Sequence, residues 1–382
     1  MRRLGTLLAF AAFGVYWGAW GVLVPAIKDQ VDASVSELGV ALLAVGFAAL
    51  PAMLLTGRVV DRIGPRIMPV ALVLFGVAAL LPGLAVSVPA LALALVLVGA
   101  TSGALDVVIN VAASGIEASG GPRLMQLAHA AFSAGFLVAA VSVGLARAAG
   151  AEPVAVLAGT TMLLFVTALL NRGHAGAAPG PRANRRLRFS RRLLLLGVLC
   201  GVAFVVESGI ENWSALFLET ELDASPVVGA LGPGLFAAAM VTGRSLGHWL
   251  EAVVGDRPLL VGGTVTAGGG LALVAVAPAV PVALLGFGLG GAGISVAAPT
   301  LFGAAGRGAP DVERGSAVAS VTTVSYLGFL TGPPLMGVVS GALDLRAGVA
   351  MLAAVALLLA AATASFARDA LPLRRLQHPS RG

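Results

Sequence analysis

Apolar runs long enough to cross a bilayer recur along the whole chain, and no other feature so narrows what it can fold into. A helix rises 1.5 Å per residue, so about 20 apolar residues cross a hydrocarbon core of roughly 30 Å. A window of about 19 residues places such spans at 4–27, 37–57, 67–87, 89–115, 124–147, 153–171, 192–217, 226–246, 258–278, 281–305, 314–341 and 347–367. Inside lipid every backbone N–H and C=O must be bonded within the segment, which makes spans of this length helices. The expected class is an all-α membrane protein of about twelve transmembrane helices. At 58% hydrophobic and 11% charged residues, the chain is far from the roughly 45–50% and 25% of soluble domains. A water-soluble globule is excluded.

The first run follows Met1-Arg2-Arg3, as a secretory signal would. It continues to about Ile27, carries Tyr16, Trp17 and Trp20, and offers no small-residue cleavage site, so it is read as the first membrane helix. With the N-terminus inside, all but Lys28, Arg147 and Arg346 of the 24 basic residues fall in cytoplasmic segments. The positive-inside rule therefore orients the chain in an inner (plasma) membrane with both termini cytoplasmic. The net charge of +6 comes from residues between apolar spans, with no aromatic-basic patch, so nucleic acid is not an expected partner. Cys200 is the only cysteine and sits in an apolar run, which leaves neither a disulfide nor a thiolate metal site.

Residues 172–191 are rich in Arg, Gly, Ala and Pro, lack apolar periodicity, and read as a cytoplasmic basic linker between bundles at 1–171 and 192–382. Its arginines can rest on anionic headgroups, a general membrane effect. The two flanking parts echo one another. Gly57-Arg58 recurs as Gly243-Arg244, a shift of 186; the Gly99 and Gly103 pair recurs as Gly286 and Gly290, a shift of 187; Gly135-Phe136-Leu137 recurs as Gly328-Phe329-Leu330, a shift of 193. Matches in register at corresponding helices indicate parallel repeats, an arrangement transporters use around a central site.

After the second span the chain reads Gly57-Arg58-Val59-Val60-Asp61-Arg62-Ile63-Gly64-Pro65-Arg66. This resembles the G-x-x-x-D-R-x-G-x-R loop signature of the major facilitator superfamily, at the place where that family carries it. With twelve spans, a basic central loop and paired halves, the resemblance covers the whole chain. Leu105 to Val111, His129, Glu207 to Trp213 and Tyr326 to Pro334 further resemble a bacterial subgroup of inner-membrane transporters without an assigned substrate. The resemblance implies the major facilitator fold, two parallel six-helix repeats, with Gly57, Asp61, Arg62, Gly64 and Arg66 as a gating loop. The alternative for Asp61 and Arg62 is a solvated pair of little energetic effect. Two departures stand out: Pro65 lies where many members are basic, and the second copy has Gly247 and His248 at the Asp-Arg positions. The implied charge latch is therefore expected on one side only.

Ionisable groups in hydrocarbon are costly and usually face a cavity or a partner. The third, sixth, ninth and twelfth spans carry none in their interiors, whereas the fourth has Asp106, the fifth His129 and the seventh Glu207 and Glu211. In the family the former helices are peripheral and the latter line the cavity. Gly99, Gly103, Asp106 and Asn110 share one helical stripe, in which the glycines suit close helix packing. The corresponding stripe Gly286, Gly290, Gly293 and Ala297 has no charge, so the expected site is asymmetric. Glu207 and Glu211 share a face, with Ser208 and Asn212 adjoining, and two such acids in a low dielectric resist joint ionisation. A solvated helix-end role stays open for Glu211, and a hydrogen-bonded structural role for His129, which shares a side with Gln126 and Ser133. Trp17, with Tyr16, Trp20 and Trp213, suits either stacking on a solute or an interfacial belt. Thr322, Thr323, Ser325 and Tyr326 offer neutral hydrogen-bonding groups.

No lysine or arginine is placed in any span interior, which favours an uncharged or cationic substrate. The expected function is secondary active transport of a small solute by alternating access, driven by protons. No P-loop, cofactor motif or metal-ligand spacing is present, so neither ATP drive nor cofactor is expected. An enzyme would need a nucleophile-base or metal constellation that these spacings do not supply. The remaining alternative is a non-transporting receptor or assembly protein on a transporter fold. A monomer is expected.

Overall fold

Local chemistry sets the helix ends. At Ser34 the side-chain oxygen accepts the Glu37 N–H at 3.2 Å while the Glu37 carboxylate accepts the Ser34 N–H at 2.9 Å. This reciprocal cap satisfies donors that a first turn cannot pair, and it separates α1 (Arg2–Gln30) from α2 (Val35–Ile63). At the other end α2 stops on Gly64, whose φ of 70° suits a residue without a Cβ. The computed structural model describes residues 2–118, 124–172, 190–309 and 314–366, and all regular structure among them is helical.

The first half continues with α3 (Met68–Leu80), extended by a 3-10 turn at Leu81–Leu84, then α4 (Val88–Ala118), α5 (Met125–Ala148) and α6 (Pro153–Leu170). The second half holds α7 (Arg191–Glu221), α8 (Pro226–Gly229), α9 (Leu231–Val254), α10 (Asp256–Ala275), α11 (Val280–Ile294), α12 (Ala297–Arg307), α13 (Arg314–Ala342) and α14 (Leu345–Phe366). Taking α8 with α9 and α11 with α12 as single spans, the chain crosses twelve times. Ten of these spans are long and apolar enough to cross a membrane on those grounds alone. The other two are the shorter Met68–Leu84 and the 29-residue α13, which Ser, Thr, Gly and Pro dilute. The basic linker, at residues 173–189, lies outside the described residues.

Both halves pair their helices alike. In the first, α1 packs on α5, α2 on α4 and α3 on α6; in the second, α7 packs on α13, α9 on α11 and α10 on α14. The first, second and third spans thus meet the fifth, fourth and sixth in each half, which makes the halves parallel repeats. Between halves α2 meets α13, α5 meets α8 and α9, and α1 meets α7, as a pseudo-two-fold axis requires. Lipid offers no hydrophobic drive between helices, so close packing must supply it. At the α2–α13 crossing a Cβ on Gly39 would stand 2.6 Å from Gly337 Cα, so the backbones touch. The helices α3 and α6 expose Val70, Leu74, Val77, Met162 and Val166 on the outer wall, a lipid-facing surface. Cys200 is free and buried.

The halves join at the face away from the start of α1. The close inter-half approaches of Gly39 to Gly337, Gly341 to Ser36 and Gly144 to Ala230 lie there, and another, Gly46 to Leu330, lies deeper, beside the centre of the molecule. Toward the opposite face Gly57 and Gly115 look onto open space, and Ile63, Leu246, Trp249 and Val253 are exposed.

Candidate functional site

Six helices enclose a central cavity of about 300 Å³. From the first half come Trp17 and Trp20 on α1, Val45 and Met53 on α2, Asp106 on α4, and Phe132 and Phe136 on α5. From the second come Glu207, Ser208, Glu211 and Asn212 on α7, and Tyr326, Phe329 and Pro333 on α13. None of the lining comes from α3, α6, α10 or α14. The wall is mostly aromatic and aliphatic with a few convergent polar groups, the usual make-up of a small-molecule site.

The acids are not equivalent. Arg244, on α9, donates from Nη2 to Glu207 Oε1 at 3.1 Å. This corrects the sequence reading, which put Arg244 in a cytoplasmic segment and left the span interiors without a cation. The helix does not stop near residue 246 but runs to Val254, so Arg244 lies about 15 Å inside its end. Asp106 is held by Asn110, which donates from Nδ2 to Asp106 Oδ1 at 3.0 Å and to the Asp106 carbonyl at 2.9 Å. Across the cavity Tyr326 donates its hydroxyl to Asp106 Oδ2 at 3.3 Å, a bond between the halves. Trp20 Nε1 donates to Asn212 Oδ1 at 3.1 Å, a second such bond. Among the described residues Glu211 has no side-chain hydrogen bond or ion pair, and it faces the cavity.

Other expected residues stand elsewhere. His129 is exposed, edge-on to Phe10 with ring centroids 5.3 Å apart, and the charge of Arg244 reaches it across the opening between halves. The side chain of Gln126 lies outside the described residues. Thr322 donates to the Val318 carbonyl at 2.9 Å and Ser325 to Thr322 at 2.9 Å, so of that group only Tyr326 reaches the cavity. Trp20 and Trp213 are 2% and 1% exposed, which removes the interfacial-belt reading for both. Trp213 and Tyr16 are core residues, while Trp17 and Trp20 line the cavity.

The expected gating loop is mostly helix: Gly57, Asp61 and Arg62 lie in the last turns of α2, and only Gly64 and Arg66 fall in the 3-10 turn that follows. Gly57 borders open space, with no neighbouring atom within 4 Å of where a Cβ would stand. Arg62 and Arg66 are exposed, and the Asp61 side chain lies outside the described residues. The second half does carry charges at its equivalent turn, against the one-sided expectation. Arg307 reaches Glu251 at 2.9 Å and Asp256 at 2.6 Å, tying the tenth span to the turn between eighth and ninth. With Arg307 53% exposed, this is a weak tie.

Sequence reasoning missed the strongest pair. Arg147, in the last turn of α5, meets Glu219 of α7 through two parallel bonds, Nη1 to Oε1 at 2.6 Å and Nη2 to Oε2 at 2.8 Å, and donates to the Val22 carbonyl at 2.9 Å. Both side chains are largely buried, at 8% and 14% exposure. The pair bridges the halves at the joined face. Its one sequence signal is that Arg147 is among the three basic residues off the majority side.

The Major Facilitator Superfamily model matches residues 5–252. An uncharacterized MFS-type transporter of Yersinia pestis is 32% identical over 96% of each chain. The membrane protein MosC of Rhizobium meliloti is 30% identical over 95% of this chain and 90% of its own. Among solved structures, a mutant of the nucleoside transporter NupG superposes with a TM-score of 0.80 at 14% identity, covering 95% of this chain and 99% of that one. The inward-open xylose transporter XylE of E. coli superposes with a TM-score of 0.77 at 16% identity, covering 98% and 97%. At these identities the structures share the fold.

Proposed function

The chain belongs to the major facilitator superfamily, and from that premise we propose that it is a secondary active transporter, moving a small solute across a bacterial inner membrane by alternating access with proton coupling. The observation that carries this reading is the cavity between two repeat halves, which holds Asp106, Glu207 and Glu211, with an inter-half ion pair at the face where the halves join. Rocking of the halves about the pseudo-two-fold axis would break the contacts at that face and close the other, exposing one site alternately to either side. Carboxylates in such a site change hydration as it opens, which ties their protonation to the conformation. The protein works as a monomer, without nucleic acid or cofactor.

A thermal-shift screen identifies the solute, because a ligand bound only by the folded state raises apparent stability. Labelled solute in proteoliposomes then tests the reading. Accumulation should follow an imposed pH gradient and collapse when a protonophore dissipates it. A solute that binds but never crosses the bilayer would leave a receptor instead of a carrier.

The distribution of basic residues puts both termini and the 172–191 linker on the cytoplasmic side. Reporter fusions after Ala183 should therefore be active only with a cytoplasmic reporter; a periplasmic signal would invert the topology and exchange the two gates. In that orientation the joined face is periplasmic and the cavity opens inward.

The last turns of α2 lie beyond Met53, the last residue of that helix to line the cavity, so charge there acts on the conformational equilibrium and not on the solute. Asp61→Asn should lower turnover severalfold and leave solute affinity within twofold of wild type. Lost binding with retained turnover would remove the gating role.

A further inference from the structure

Among the cavity acids, Glu207 already holds Arg244, and Asp106 already holds Asn110 and Tyr326. Glu211 faces the same space without such a partner among the described residues. Helix α1 passes directly beside it: a Cβ on Gly21 would stand 3.1 Å from the Glu211 carbonyl oxygen. That approach sets the indole walls of Trp17 and Trp20 next to this part of α7.

We propose that Glu211 is the anchor for a positive charge on the transported solute, and that the solute is a compact ring-bearing amine whose ring lies against Trp17, which Trp20 backs from the buried side. The assignment rests on the transporter reading above and narrows its substrate class. Three carboxylates line the cavity and the one guanidinium beside it, Arg244, is held by Glu207, so an anionic solute meets no free countercharge there. A neutral solute would seal the cavity over a protonated Glu211 and give that acid nothing to exchange its proton for, so its binding would not be coupled to the proton. An ammonium group supplies the missing countercharge, and indole faces attract cations electrostatically. The volume of about 300 Å³ is at the lower end of ligand pockets, fitting one ring or a fused pair.

In the empty site a proton neutralises Glu211. The incoming ammonium displaces it: the carboxyl O–H bond breaks, the carboxylate pairs with the ammonium, and the proton leaves to water. The charged or titratable groups facing Glu211 are Glu207 on the same helix, Arg244 on α9, Asp106 on α4 and Tyr326 on α13; α1 contributes none. Solute and proton thus compete for one carboxylate, which couples them as an exchange.

The test uses the purified full chain in lipid nanodiscs and three matched pairs: cyclohexylmethylamine, phenethylamine and tryptamine, each against the corresponding alcohol. At least one amine should bind tenfold or more tightly than its alcohol and release about one proton per site to a pH indicator. In Glu211→Gln that preference and the proton release should both vanish. Alcohols binding as well as amines, no amine binding at all, or a preference that survives Glu211→Gln would each overturn the assignment. The comparison in the wild-type protein stands even if the variant does not fold. Failure of the transporter reading looks different: amines would bind with proton release yet never cross proteoliposomes.

Discussion

Replacing Glu207 with glutamine should abolish solute accumulation driven by a pH gradient, to the level of protein-free liposomes, while leaving the protein folded. The argument starts from the ion pair. Glu207 is 9% exposed in its side chain and Arg244 41%, so the carboxylate is shielded while the guanidinium keeps contact with water. Removing the carboxylate therefore does not strand a fully buried cation, and the folding penalty stays well below the roughly 3–5 kcal/mol of a completely buried pair. The consequence for coupling is larger. On the proposed mechanism Glu207 would exchange Arg244 for a proton as the cavity alternates, and Glu211, four residues on along the same face, would respond to each change. With glutamine at 207, Arg244 turns to Glu211 as its only acid on α7 within the cavity. Both carboxylates are then lost to protonation at once. Asp106→Asn should weaken accumulation too, because it removes a titratable acid and leaves one acceptor oxygen where the carboxylate offered two, to Asn110 and to Tyr326 across the halves. Downhill exchange of solute should persist in Asp106→Asn and weaken in Glu207→Gln, where Arg244 draws Glu211 away from the solute. If both, separately and together, accumulated solute with wild-type pH dependence, these acids would be structural and coupling would have to lie elsewhere.

How much of this was legible in the sequence differs from residue to residue. The spans, their pairing into repeats and the cavity positions of Asp106, Glu207, Glu211, Asn212 and Trp17 follow from local signals: apolar length, and rare polar groups on helical stripes. Arg244 was misplaced for a local reason as well. Arg244, His248 and Glu251 lower the hydropathy of the last turns of α9, so the window ended near residue 246 while the helix runs to Val254. The match of Gly243-Arg244 to Gly57-Arg58 then drew it further toward a loop. Asn110 and Thr322 carry the right polarity, but each spends it within its own helix, Asn110 on Asp106 and Thr322 on Val318. Such choices depend on what the helix packs against. The inter-half bonds were the least legible: Trp20 and Asn212 are 192 residues apart, Asp106 and Tyr326 are 220 apart, and Arg147 and Glu219 are 72 apart. Nothing in linear spacing pairs them; the two-fold docking of the halves does.

Breaking the Arg147–Glu219 pair should open the joined face. Two parallel bonds of 2.6 and 2.8 Å and a third from Arg147 to the Val22 carbonyl fix the guanidinium between α1, α5 and α7. At 8% and 14% side-chain exposure neither charge is solvated while the halves are joined. Taking away one partner leaves the other buried and unpaired, which costs about 3–5 kcal/mol. In the alternate conformation that the proposed rocking would produce, the halves would separate here and both charges would be hydrated, so the same substitution would cost little. The difference falls on one side of the equilibrium and shifts it roughly 10²–10³-fold toward the state open at this face. Arg147→Ala and Glu219→Gln should both do this and cut turnover at least tenfold. The charge swap Arg147→Glu with Glu219→Arg should recover part of the turnover, since it restores the ion pair but not the bond to Val22. Spin labels at Val86→Cys and Leu343→Cys report the motion directly. Both positions are exposed, at 85% and 73%, they sit on opposite halves at the joined face, and the native Cys200 is buried away from labelling. Electron-spin distance distributions should show one short population in the wild type, a dominant longer one in each single variant, and a return toward the short one in the swap. Distributions that stay superimposable across all four proteins would mean that the pair only decorates a face held shut by the α2–α13 crossing at Gly39 and Gly337.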